Sequence, residues 1–395
     1  DLAPFRAVRF DPQRLPPAAA ICPPYDVIRE DAHRRLLDHH PRNAVRWILG
    51  EDPDHPLAGD EEYRRRGQDL RGALAAGDLL QDTRRGYYLY RCTTTDAAGT
   101  PQSYQGILGA VRALPWGEEV LPHEQVRPAV VGDRARLRRA AAVDLGVIQL
   151  VVTDADGALR RALEAAPREE LFRGPDWRGD EHSLARIDDA AAVEELRGVL
   201  ASRVTVVADG HHRYAAAVEA RDHAGLPGAR RVLAIIGDLH QEGLVIGPTH
   251  RLLKWPGPPG PARAAARRIR EALDDGEGEE WSLELRTALP IALRTRPRLD
   301  GETLAGRLAE VVEGLEPRPE VETSHDLERA RLILQRLPGD VLLCRLGAVS
   351  REEFWERCSR GQVFPPKTTF FLPKIGAGIV VRLLDESDAV KEESP

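Results

Sequence analysis

The sequence predicts a mixed α/β protein of more than one domain, and three observations carry that expectation. At 395 residues the chain is longer than one hydrophobic core usually fills. Short β-branched runs of strand length, such as Val204-Thr205-Val206-Val207-Ala208, alternate with segments of helical period. Turn residues separate them, most densely at Pro256-Gly257-Pro258-Pro259-Gly260-Pro261, where neither a helix nor an internal strand can persist.

Residues 1–115 read as an N-terminal α/β region. Pro23-Pro24-Tyr25-Asp26 is a Pro-stiffened turn, Glu30 to His39 has helical character, and Val45 to Leu49 has strand length. Glu61 to Ala76 sets Tyr63, Leu70 and Leu74 on one face and stops at Gly77, a natural C-cap. Tyr87 to Arg91 and Tyr104 to Val111 read as strands joined through the turn-rich Asp96 to Pro101.

Residues 116–255 form the expected central region. It holds a basic helix from Asp133 to Ala142 and strands over Leu145–Val152 and Val204–Ala208. A helix over Tyr214–His223 and strands over Val232–Ile236 and Leu244–Ile246 follow. Beyond the Pro- and Gly-rich run, residues 256–384 make a C-terminal α/β region. There Leu304, Leu308, Val311, Val312 and Leu315 share one helical stripe, and Val341–Cys344 and Ile379–Val381 have strand character. Residues 385–395 are acidic and polar and read as a tail.

Bulk properties narrow the function. Apolar content of 42% and charged content of 30% suit a folded protein. A net charge of −7, from 56 basic and 63 acidic residues, lacks the basic footprint of a nucleic-acid binder. No run approaches the length needed to span a bilayer, and Asp1 to Phe10 has no secretory pattern, so the expectation is a cytoplasmic protein. The cysteines at 22, 92, 344 and 358 are too scattered for a zinc site or a disulfide scaffold.

The sharpest local signal is Asp209-Gly210-His211-His212-Arg213. A buried strand ends at an acid, turns through glycine and enters a helix. Helix starts present free N–H groups and a positive dipole end, which attract phosphate. Gly210 allows close backbone approach, Arg213 offers a bidentate guanidinium, and Asp209 sits where a Mg²⁺ or a substrate hydroxyl could be held. Asp209 as a plain helix cap, with surface histidines, accounts for the same five residues equally well. In Leu121-Pro122-His123-Glu124 a carboxylate follows a Pro-fixed turn, as a general base would, although a solvated turn acid explains it too. Pro248-Thr249-His250-Arg251 and the stretch from Pro365 to Lys374, with Lys367, Thr368, Thr369 and Lys374, add hydroxyls and cations suited to phosphate. None of these matches a Walker loop, a protein-kinase Gly-rich loop or a dinucleotide fingerprint. Zinc hydrolysis finds no HExxH spacing, and no GxSxG elbow supports a serine hydrolase.

Taken in order, these segments resemble the domain-of-unknown-function family 1015. The resemblance rests on Pro4 to Arg9, Pro23 to Ile28, Leu121 to Glu124, Asp133-Arg134 with Arg139, Ala208 to Tyr214, Pro248 to Arg251, and Pro365 to Lys374. Asp209 to Arg213 is also similar to the phosphate-binding motif of the ParB/sulfiredoxin superfamily, which includes kinases acting on free L-serine. That resemblance implies a ParB/sulfiredoxin-like core, ATP or ADP as donor, Mg²⁺, and a free hydroxy amino acid as acceptor. It implies Glu124, Asp209 and His211 as catalytic residues, with Asp209 as the metal ligand. Gly210, His212, Arg213, Thr249, His250, Arg251, Lys367, Thr368, Thr369 and Lys374 would bind nucleotide or phosphate, and Tyr25, Asp26, His123, Arg134 and Arg139 the substrate. The sequence departs from the family at Ala141, where Thr is frequent, and at Arg46, where His is usual. A ParB-like nucleotide switch, or a phosphotransferase for another hydroxyl metabolite, is the competing expectation.

Overall fold

The computed structural model describes residues 1–52, 59–95, 99–223, 225–286, 288–295 and 303–386. The mixed α/β expectation is met. The chain divides into two compact units that do not follow simple sequence segments. The first contains Asp1–Pro122, Val126–Leu244 and Pro373–Pro395, and the second His123–Gln125 and Val245–Leu372.

In the first unit the strands are β1 (Leu2–Ala3), β2 (Val8–Phe10), β3 (Leu79–Gln81), β4 (Tyr87–Thr95), β5 (Pro101–Arg112) and β6 (Val120–Leu121). They continue as β7 (Val143–Asp144), β8 (Ile148–Val152), β9 (Glu169–Pro175), β10 (Glu181–Ile187), β11 (Thr205–Asp209) and β12 (Arg231–Asp238). The helices are α1 (Pro17–Ala20), α2 (Glu30–His39), α3 (Val45–Ile48), α4 (Asp60–Ala75), α5 (Pro128–Ala141), α6 (Ala158–Ala165), α7 (Ala190–Ala201) and α8 (His211–Ala220). Among the described residues one nine-stranded sheet runs β6-β11-β8-β12-β5-β4-β10-β9, with β1 beside β5. It is mixed: β11 is parallel to β6 and antiparallel to β8, and β8 is parallel to β12.

β8 and β11 read as continuous apolar runs because they are covered on both faces. Ile148, Leu150, Val152 and Val207 pack with Tyr214 and Ala217 of α8 in one core cluster. A second cluster joins Val8, Trp47, Tyr63, Leu70 and Leu137 to Ala377, Val381 and Leu383 from the far end of the chain. α4 starts on three acids, Asp60 to Glu62, which suit the positive end of the helix dipole, and stops before Gly77 at φ +76°.

The second unit contains β13 (Val245–Gly247), β14 (His250–Trp255), β15 (Glu279–Leu285), β16 (Ile291–Thr295), β17 (Glu320–Ser324), β18 (Asp340–Arg345) and β19 (Phe370–Leu372). Its helices are α9 (Pro261–Leu273), α10 (Leu304–Glu313), α11 (Leu327–Arg336) and α12 (Arg351–Ser359). An antiparallel sheet is ordered β16-β15-β18-β14-β17, and β13 pairs with β19. Successive residues of its buried strands face opposite ways. Leu253 and Leu342 join the cluster of α9 and α10, while Leu252 and Leu343 join that of α11. Thr303, Asp326 and Ser350 cap α10, α11 and α12 by accepting backbone N–H groups. The run 256–261 lies inside this unit, with Pro261 opening α9. The chain then returns to the first unit with β20 (Arg382–Leu383), which pairs with β7.

Several boundaries differ from expectation. Val45–Ile48 is helical, because Asn43 Oδ1 accepts the Val45 N–H and starts a turn there. Ile379 and Val380 are not in a strand: Gly378, at φ +90°, turns the chain, and pairing is taken up at Val381, which bridges Val8, and then at Arg382. The basic helix begins at Pro128, whose ring suits the first helical position. α8 begins at His211 rather than Tyr214. Residues 96–98 of the expected turn and 387–395 of the expected tail lie outside the described residues. Asp385 pairs with Arg71, and Glu386 with Arg6. No helix among the described residues is long and apolar enough to cross a membrane. The four cysteines are buried free thiols.

Candidate functional site

In the first unit, β11 carries Thr205 to Ala208 into the core and delivers Asp209 at its end, where the register against β8 shifts between Val207 and Asp209. Such irregularities re-aim side chains at strand ends. Gly210 follows at φ +97°, a conformation that costs other residues energy, and the Tyr214 N–H donates to its carbonyl to open α8. A Cβ at Gly210 would stand 3.1 Å from the Arg213 guanidinium, so the glycine also makes room for that side chain.

Asp209 is 11% exposed and faces two cations. Arg213 Nη2 donates to Oδ2 at 2.6 Å, and Lys374 Nζ donates to Oδ1. Arg213 also donates to the Val147 carbonyl, and its buried Nε has no partner among the described residues. Gly146 lies against this side chain, 3.1 Å from Nη1 to where a Cβ would be. His211 is buried with its ring 6.1 Å from Trp116. His212 Nε2 accepts the Arg127 N–H at 3.0 Å, which places its proton on Nδ1 and ties α8 to the start of α5.

Beside Arg213 lies a small pocket whose wall includes Tyr25, Arg134, Leu145, Arg213, Ala216 and Ile375. Arg134 lies over the Tyr25 ring at 4.7 Å and is fixed by Asp133 at 2.8 Å and by the Ile48 carbonyl at 3.3 Å. Burial, then Asp26, pushes the Tyr25 hydroxyl up to about 12, so it is a neutral donor at physiological pH. Asp26 itself is exposed. Arg139 pairs with Glu219 at 3.8 Å, joining α5 to α8 outside the pocket wall. Neither departure from the family pattern lines the pocket. Ala141 packs against Gly67, and Arg46 is held by Glu51 and the Leu37 carbonyl, each at 2.8 Å.

The remaining expected residues lie in the second unit. Glu124 bridges Phe364 and accepts the Lys367 N–H at 3.1 Å. Lys367 stands at φ +62°, unusual for a residue with a side chain. His123 is 2% exposed, bonded to Thr369 at 2.8 Å and ringed by Phe354, Phe364 and Phe371. That is a core position. Thr368 donates to the Pro365 carbonyl at 2.7 Å. His250 is buried in β14 and accepts the Leu346 N–H on Nδ1 at 3.2 Å. Burial, reinforced by Arg345, lowers its pKa. Arg251 donates to the Thr249 carbonyl at 3.1 Å.

Mg²⁺ does not fit as a resident ion at Asp209. Both carboxylate oxygens already face cations, and no three His, Cys, Asp or Glu side chains gather as a site among the described residues. Sequence reasoning missed Gly146, whose missing side chain gives Arg213 its place, and the Val147 carbonyl that holds it. Nothing local marked either, since the contact spans more than sixty positions.

A mixed α/β chain with a glycine-turned strand–helix junction and two cations on one aspartate is thus the class these features define. Over residues 2–273 the sequence matches the family described as "Protein of unknown function (DUF1015)", and the chain belongs to that family. No curated protein matches it significantly. Among solved structures it is similar to a free serine kinase in complex with AMP, at 15% identity and a TM-score of 0.40, over 68% of this chain and 88% of that one. It is similar to SbnI with a C-terminal truncation from Staphylococcus aureus, at 12% identity and a TM-score of 0.42, over 70% and 87%. A conserved hypothetical protein from Pyrococcus furiosus matches at 17% identity and a TM-score of 0.40, over 70% and 96%.

Proposed function

We propose that the protein is a small-molecule kinase that moves a phosphoryl group from a nucleotide to the hydroxyl of a free amino acid, with L-serine to O-phospho-L-serine as the leading reaction. The observation that carries this reading is the junction at Gly210, where Arg213 and Lys374 converge on Asp209 beside a pocket that Arg213 and Tyr25 line. Phosphoryl transfer passes through a loose transition state whose charge is spread over phosphate oxygens, so catalysis asks for positioned cations more than for a covalent nucleophile. Arg213 and Lys374 supply those cations, and Asp209 holds them in place before a phosphate arrives. The positive end of the α8 dipole acts in the same sense. The anhydride P–O bond to the leaving nucleotide breaks, an ester P–O bond forms at the acceptor oxygen, and the hydroxyl proton leaves to a base, the role proposed for Glu124.

³¹P NMR of the purified protein with Mg²⁺, ATP or ADP, and a panel of free hydroxy amino acids tests this directly. A new phosphomonoester resonance that requires serine is the expected result. Donor hydrolysis with no acceptor product, or no turnover with any pair, rejects the reading.

A further inference from the structure

The small pocket beside Arg213 lies wholly within the first unit. Ile48, Leu137, Val143, Leu145, Val232 and Ile375 make most of its wall apolar. Its charged members are the guanidiniums of Arg134, Arg138 and Arg213 and the carboxylate of Asp144. That carboxylate is already committed. Oδ1 accepts from Arg138 at 2.7 Å, and Oδ2 accepts from Arg382 and from the Leu233 N–H at 3.0 Å.

Donors, by contrast, are left over. Of the five N–H groups on a guanidinium, Arg134 gives two to Asp133 and one to the Ile48 carbonyl. The Tyr25 hydroxyl, a neutral donor, makes no hydrogen bond among the described residues. Arg213 and Arg134 are both close enough to act on that hydroxyl electrostatically, so the three side chains share one end of the pocket.

A hydrocarbon wall with convergent donors and no uncommitted carboxylate is selective. An ammonium would meet guanidiniums and no carboxylate of its own, and an unpaired buried charge is expensive. A nucleobase edge carries donors as well as acceptors, and its donors would go unanswered. Inorganic phosphate would leave the apolar wall uncovered. A carboxylate on a short carbon body suits both features: its oxygens only accept, and the body covers the wall. We propose that this pocket is a binding site for a small organic acid that carries no ammonium, with its carboxylate against Tyr25 and Arg134 and its carbon body on the apolar wall. Such binding needs neither a phosphoryl donor nor turnover, so it stands or falls apart from the kinase reading.

Binding to the full chain, measured by ligand-observed NMR and by thermal shift, tests this with butyrate, 2-aminobutyrate, butyramide and adenosine as probes. Wild type is expected to bind butyrate. The zwitterion 2-aminobutyrate and the neutral butyramide, of nearly the same size, are each expected to bind at least about tenfold more weakly. Tyr25→Phe keeps the ring under Arg134 and removes only the hydroxyl. It is expected to leave the melting temperature of the ligand-free protein unchanged and to weaken butyrate about tenfold. No binding of butyrate overturns the proposal, as does butyrate binding indifferent to Tyr25→Phe. So does 2-aminobutyrate or butyramide binding as tightly as butyrate, or adenosine binding more tightly than butyrate with the same dependence on Tyr25. Butyrate binding that depends on Tyr25, without phosphoserine from any donor, rejects the kinase reading and leaves the acid site standing.

Discussion

Gly210 and Glu124 show how much a single position is asked to do. At φ +97° an alanine in place of Gly210 would occupy backbone space that costs a substituted residue about 1–2 kcal/mol, and its Cβ would stand 3.1 Å from the Arg213 guanidinium. Gly210→Ala is therefore expected to lower the unfolding free energy by about that amount in urea titrations. It should also weaken nucleotide binding, because Arg213 must move; calorimetry that finds unchanged affinity would remove Arg213 from the phosphate site. Glu124→Gln is a gentler change. The amide oxygen can still accept the Lys367 N–H that the carboxylate now takes at 3.1 Å, so the local fold is retained while the proton acceptor is lost. Turnover is expected to fall by about 10²-fold or more with nucleotide affinity unchanged. Near-wild-type turnover would end the assignment of Glu124 as base.

At the scale of elements, period and turn chemistry were readable and pairing was not. α4 and α10 followed from their apolar stripes, and β8 and β11 from buried β-branched runs, because those patterns report burial directly. Val45–Ile48 was misread because four apolar-rich residues fit either period, and the Asn43 side chain decided the matter. The Asp209 loop was legible as a strand–turn–helix, whereas its partners Lys374 and Val147 come from other segments that only folding brings close. Roles were harder still: His123 reads as a polar residue beside Glu124 but is packed among phenylalanines. His250 gives an element-level prediction. Its pKa is lowered by burial, so the native state binds fewer protons than the unfolded state just below the ordinary value of about 6.5. Stability contributed by His250 is complete above that value and is lost as pH falls beneath it toward the folded pKa. Urea midpoints measured between about pH 5 and 7 should fall on acidification. His250→Asn, whose side-chain oxygen can replace Nδ1 as acceptor for the Leu346 N–H, should flatten that slope. An unaltered slope would assign the titration elsewhere.

On the scale of the whole chain, the first unit is completed by residues that follow the second in sequence. Arg382 is 1% exposed and donates to Asp144, to the Gly228 carbonyl, and to the Arg231 carbonyl at 3.1 Å. Asp144 also accepts from Arg138 at 2.7 Å and from the Leu233 N–H at 3.0 Å. Burial works to raise the Asp144 pKa, yet Arg138 and Arg382 outweigh it and hold the carboxyl below its usual range. The same returning segment carries Lys374, which reaches Asp209, and Ile375, which lines the pocket. Stability and site are thus coupled through one stretch of chain. Arg382→Met keeps the bulk of the side chain and removes its charge, leaving Asp144 with one guanidinium instead of two. Breaking a buried ion pair from one side costs about 3–5 kcal/mol, and a loss of that order is expected in urea unfolding. If the clamp also positions Lys374, nucleotide affinity should fall in Arg382→Met and fall no further when Lys374→Ala is added, while each change alone weakens binding. Independent, additive losses would show that the clamp stabilises the fold without setting the site.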